Sequence, residues 1–171
     1  MYYSEPVRIA RCAMEEFIRH GVLIGTPDWV SEEFLSKRAG CFVSLHTSNG
    51  SLRGCIGTIY PLQENVALEI IQNAISASTK DPRFPPVEAS ELADIDVSVD
   101  ILSPPERTTL SGLDPKKYGV IVSLGYRKGV LLPDLEGVDT IQKQLSIALR
   151  KAGIRESEDY SIFRFSVERY R

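Results

Sequence analysis

The chain is poor in the residues that build disulfide and metal frameworks. It has three cysteines and two histidines in 171 residues. Cys12, Cys41 and Cys55 make an odd count with no CxxC spacing, which argues against a disulfide framework and against a zinc site built mainly on cysteine. Reduced thiols fit a cytoplasmic setting. Long apolar runs are missing too: none approaches the ~18 residues of a membrane span. The opening MYYSEPVRIAR lacks the basic-then-apolar pattern of an export signal. Positive charge is not in excess, with 20 Lys+Arg against 23 Asp+Glu and a net charge of −3. Such a balance lacks the electrostatic footprint of a general nucleic-acid binder. HExxH, GxSxG, P-loop and GxGxxG patterns are absent, so no standard zinc, hydrolase or nucleotide motif applies, and no metal or cofactor is called for.

What is present is an ordinary globular composition, 43% hydrophobic and 25% charged, which excludes disorder as the main state. The length fits one domain over residues 1–171. Residues 5–20 read as a helix, because Val7, Ala10, Met14, Phe17 and Ile18 recur at helical spacing. Ser4 can cap it, Pro6 suits its first turn and Gly21 its end. Residues 31–38 read as a short helix capped by Ser31. Strands are expected at 41–46 and 51–59 around Asn49-Gly50, a hairpin signal. A helix follows at 62–79, with Leu62, Val66, Ile70 and Ile71 on one apolar face. Residues 93–102 alternate as a strand, with Asp94, Asp96 and Asp100 on one face and Ile95, Val97, Val99 and Ile101 on the other. A hairpin at 118–124 and 129–133, a helix at 138–152 and a strand at 160–169, with Phe163, Phe165 and Val167 inward, complete the chain. This mixed order lacks βαβ repeats and predicts an α+β fold with a largely antiparallel sheet and flanking helices.

The densest unusual segment is Leu52-Arg53-Gly54-Cys55-Ile56-Gly57. Two glycines inside a strand mark close approach by a backbone or a ligand. A two-residue Asn-Gly turn would set Ser44 opposite Cys55 and His46 opposite Arg53, with Arg53, Cys55 and Gly57 on the face of Phe42, Ser44 and His46. A guanidinium beside Cys55 would stabilise its thiolate; alternatively Cys55 is a small packing residue, the usual fate of a free cysteine. His46 is a candidate base for that thiol or a structural histidine. His20 sits at a helix end, where a dipole contact suits it. The proline-fixed loop Asp81–Pro86 presents Arg83 and Phe84. Arg83 could clamp a carboxylate or phosphate, or it could pair with Asp81 and close a turn. The aspartate row at 94, 96 and 100 could bind a hard metal, but more often such a row is a solvated face.

These residues resemble a known family. LRGCIG at 52–57 and DPRFPP at 81–86 are similar to the signature motifs of the AMMECR domain family, whose bacterial and archaeal members include AmmeMemoRadiSam system protein A. GCFVSLHT at 40–47, VSVDILSPPE at 97–106, GVLLP at 129–133 and KAGI at 151–154 extend the resemblance over nearly the whole chain. Family members often carry Gln after that Leu-Leu-Pro, where Asp134 stands here. The resemblance implies an α+β domain of two lobes, a larger and a smaller, with a groove between them. It also implies association with a Memo-type protein and a radical SAM protein, and supplies no settled activity.

Three functions follow from these readings. The first is a ligand-binding or accessory component whose groove is lined by Arg53, Gly54, Cys55, Gly57, Arg83, Phe84 and Pro85, taking a small molecule or peptide. The second is a cysteine-dependent enzyme with Cys55 as nucleophile or redox group and His46 or Asp81 assisting. The third is a nucleic-acid-interacting regulator, against which the acidic balance weighs.

Overall fold

The apolar stripe of residues 5–20 forms helix α1, Glu5–His20, in a computed structural model that describes residues 3–171. Ser4 holds the N-cap position, but its hydroxyl donates to the Arg171 carbonyl and makes no cap bond. Gly21 ends the helix in the left-handed region at φ 69°. A short α2, Glu32–Ser36, follows, then β1, Cys41–Thr47, and β2, Leu52–Gly57. Next come α3, Val66–Thr79, β3, Ile95–Leu102, and β4, Glu106–Thr108. The chain closes with β5, Gly119–Leu124, β6, Arg127–Leu131, α4, Ile141–Ala152, β7, Ser161–Phe165, and β8, Val167–Tyr170.

The strands make two four-stranded sheets, ordered β2-β1-β3-β8 and β4-β7-β5-β6. With the helices beside them the fold is α+β, as the mixed element order requires. The chain divides into two compact units, residues 1–102 with 168–171 and residues 103–167. In the first, Val7, Ala10 and Met14 of α1 and Ile70 and Ala74 of α3 share a core with Val43, Leu45, Val99 and Ile101 of the sheet. In the second, Leu145 and Leu149 of α4 pack with Val120, Val122 and Leu131. Among the described residues no helix is long and apolar enough to cross a membrane.

Several expected boundaries move, each for a local reason. The helix expected from residue 62 starts at Val66, where the Asn65 side chain accepts the Leu68 N–H. Leu62 therefore lies outside it and is 74% exposed. The helix expected from 138 starts after Thr140, whose hydroxyl accepts the Lys143 N–H. The expected strand at 160–169 is two strands in two sheets. It breaks at Ser166, whose N–H donates to Ser103 Oγ and whose carbonyl accepts the Ser103 N–H. Strand β4 had no recognisable alternation over its three residues.

The first hairpin differs most informatively. Its turn holds three residues, with Thr47 N–H bonded to the Ser51 carbonyl and Gly50 at φ 84°. His46 therefore pairs with Leu52, not Arg53. A bulge on β2, with Arg53 as the extra residue opposite the Leu45–His46 step of β1, offsets the longer turn, so Leu45 meets Gly54 and Ser44 meets Cys55 as expected. The longer turn and the bulge cancel along the strand.

Candidate functional site

Strand β2 is an edge of its sheet, so one side of its backbone has no neighbouring strand. An open edge invites pairing with another chain unless something covers it. Side chains from the proline-rich loop do so at Cys55. The Cys55 N–H donates to Asp81 Oδ2 at 2.9 Å, and its carbonyl accepts from Arg83 Nη2 at 3.2 Å. Asp81 and Arg83 together thus imitate the acceptor and donor of a missing strand.

The clasp is itself closed by charge. Arg83 Nε and Nη2 bond the two Asp81 oxygens at 2.9 and 2.7 Å, and the Arg83 N–H adds a bond to Oδ1. Asp81 is buried, while the Arg83 side chain is 54% exposed. The Arg83 guanidinium first, and the Cys55 N–H after it, hold the Asp81 carboxyl far below the ordinary carboxylate range against the opposing effect of burial. Phe84 lies under the guanidinium, 5.5 Å from its carbon.

Arg53 works as a second clasp. Its Nε and Nη2 bond both Glu91 oxygens at 2.7 and 2.9 Å, and Nη1 donates to the Pro85 carbonyl at 3.0 Å. Pro86 supplies a further carbonyl. Arg53 hydrogen bonding holds Glu91 below its usual range, helped by the Glu88 N–H. Glu91 had no signal in the sequence, since 38 residues separate it from its partner. The glycines also serve packing. A Cβ at Gly54 would collide with the Ala77 carbonyl of α3, and one at Gly57 with the Phe42 ring. The close approach expected of both is made by helix backbone and by an aromatic ring of the protein itself.

The thiol of Cys55 is half-buried and accepts from Ser44 Oγ at 3.2 Å. His46 lies on the same sheet, opposite Leu52 on one side and Asp96 on the other. Among the described residues no hydrogen bond links it to Cys55 or Arg53. Asp81 meets the Cys55 backbone rather than its sulfur. The aspartate row is divided in role: Asp100 is buried and bonded twice by Arg169 at 2.7 and 3.1 Å, while Asp96 is exposed. Among the described residues no three side chains are grouped to hold a metal ion. The other thiols differ. Burial pushes Cys41 up to about 12, and burial with the Glu16 and Glu15 charges raises Cys12.

The chain as a whole is similar to known proteins. The AMMECR1 family model matches residues 7–170. A protein of Thermotoga maritima is 58% identical over 96% of both chains. A protein of Clostridium acetobutylicum is 52% identical over 96% of this chain, which spans 35% of that protein's length. The crystal structure of an uncharacterized protein from Pyrococcus horikoshii matches with a TM-score of 0.86 and 33% identity, covering 96% of this chain and 88% of that one.

Proposed function

The chain belongs to the AMMECR1 family, and from that premise we propose that it is a ligand-binding accessory component whose contact point is the Cys55 thiol beside Arg83. One observation carries this reading. The two signature segments are assembled around the single Cys55 peptide, and their charges are used internally. Arg53 is spent on Glu91 and the loop carbonyls, and Asp81 on Arg83 and the Cys55 N–H. The exposed part of the Arg83 guanidinium and the Cys55 sulfur, with the Ser44 hydroxyl on it, remain to meet a small molecule or peptide. A ligand bearing a carboxylate would suit that guanidinium. The partners are a Memo-type protein and a radical SAM protein, as the family resemblance implies. The Clostridium relative supports an accessory role, because there the matching segment is a third of a longer protein.

The second reading, a cysteine-dependent enzyme, draws support from the Ser44 bond to Cys55 Sγ. The nucleic-acid reading loses ground, because Arg53 and Arg83 are each neutralised by a carboxylate.

Alkylation of Cys55 by iodoacetamide in a Cys12→Ala background tests the site, since buried Cys41 stays silent in the folded protein. Cys55 is expected to react before unfolding, with a rate that falls when a carboxylate ligand is bound at Arg83. A thiol inert until denaturation would overturn both cysteine-centred readings. Turnover of an electrophile that Cys55→Ser abolishes would favour the enzyme.

A further inference from the structure

A shallow cavity of about 310 Å³, open to solvent, lies along α1, built by different residues from those around Cys55. Val7, Ala10, Ala13 and Met14 turn one side of the helix into the core. Arg8, Cys12 and Glu16, spaced i, i+4 and i+8, share a stripe that lines the cavity. After Gly21 the chain returns along the helix, tied to its start by the Ser31 N–H donating to Glu5 Oε1 at 2.5 Å. That return sets Trp29 under Arg8, whose guanidinium carbon is 4.3 Å from the ring centre. Tyr3 forms another wall beneath Arg11, at 5.1 Å.

The charges in this cavity are unequally used. Arg11 is spent on the Ile95 carbonyl at 2.7 Å and on Glu15 at 3.0 Å. Among the described residues, neither Arg8 nor Glu16 has a salt-bridge partner. The Cys12 thiol between them is held protonated by burial and by the Glu16 and Glu15 charges. The stripe therefore reads cation, neutral thiol, carboxylate. At ~1.5 Å of helix per residue its ends are about 12 Å apart.

We propose that this cavity binds a short extended peptide segment carrying an acidic and a basic residue four positions apart, with apolar residues between them. At ~3.3 Å per residue four positions span about 13 Å, close to the stripe, and the even spacing puts both charges on one face of the segment. Its carboxylate meets Arg8, its apolar side chains lie over Cys12 and against Trp29, and its cation meets Glu16. The α1 dipole favours the same polarity, with negative charge toward the helix start. Tryptophan, tyrosine and arginine are also the side chains that carry most of the affinity at protein contacts. This site stands or falls independently of the Cys55 reading.

Trp29 is the only tryptophan, so its emission reports on this cavity alone. The test titrates the full chain with the peptide acetyl-Glu-Leu-Leu-Leu-Lys-amide. A saturable change in emission below about 1 mM is expected. Acetyl-Gln-Leu-Leu-Leu-norleucine-amide, lacking both charges, should give none. Arg8→Gln and Glu16→Gln should each weaken binding about fivefold, the usual worth of a part-exposed ion pair. Calorimetry reads the Arg8→Gln variant, because that change also alters the surroundings of Trp29. No saturable change up to about 1 mM, or binding that survives both substitutions, would overturn the proposal.

Discussion

Asp81 accepts from three groups at once: the Cys55 backbone, the Arg83 backbone and the Arg83 guanidinium. A buried carboxylate so surrounded is costly to replace, because its donors lose their acceptor away from water. Asp81→Asn is expected to lose about 2 kcal/mol at neutral pH, read as a fall in urea midpoint. The sign of its pH dependence follows from the depressed pKa. Folding favours the ionised form, so this contribution is present above the unfolded value of 3.8 and is lost as pH falls below it. The stability gap between wild type and Asp81→Asn should therefore shrink below pH 3.8. A gap unchanged into acid would mean that the carboxylate charge is not what matters. The sequence left two roles open for Arg83, a ligand clamp and a partner of Asp81. The pair forms, and the exposed side of the guanidinium leaves the first role open beside it.

The helices, the first strand pair and the Ile95–Ile101 alternation were legible because each follows a repeat of 3.6 or 2 residues. The rest was hidden for physical reasons. A turn longer by one residue and a compensating bulge leave the same pairing at Cys55 as a tight turn with no bulge, so pattern alone does not separate them. The glycines of β2, read as close approach by a backbone or a ligand, meet the protein itself: Gly54 seats a helix carbonyl and Gly57 the Phe42 ring. Gly54 lies against Ala77 of α3, and Gly129 in the other unit lies against Ala148 of α4, the same device twice. Buried Glu69 had no sequence signal either, since it falls within an apolar helix pattern. Its carboxylate accepts from the Thr58 hydroxyl at 2.6 Å and from the Leu62 and Gln63 N–H groups at 2.8 Å each. Those bonds set the path from β2 into α3. Glu69→Gln turns one acceptor into a donor facing a donor, so a loss of about 2–3 kcal/mol is expected. Amide exchange should localise it, with Leu62 and Gln63 losing protection while the middle of α3 keeps its own. Uniform loss across α3 would show that Glu69 supports the helix rather than the loop.

At the scale of the whole chain, one unit is assembled from two separated stretches and the other from the single stretch 103–167. The single stretch begins and ends at a local tie. Ser103 and Ser166 exchange backbone and hydroxyl hydrogen bonds. Its core is its own, with Val120, Val122, Leu145 and Leu149 packed together, and its α4 is capped at both ends by Thr140 and Gly153. Arg127 also bonds the Gly153 carbonyl at 2.7 Å and Glu158 at 2.7 Å, fastening the hairpin to the end of that helix. A segment with closed ends, capped helix and separate core has what independent folding requires. A stretch of this size buries only about 60% of its unfolded surface, so its margin should be small. Residues 103–167 expressed alone are therefore expected to give one cooperative urea transition by circular dichroism, with a slope near the lower end of ~1–3 kcal/mol/M. A sloping, non-cooperative loss of signal would instead mean that this stretch needs the remainder of the chain to fold. In that event the tie at Ser103 and Ser166 would be a consequence of the fold rather than a cause of it.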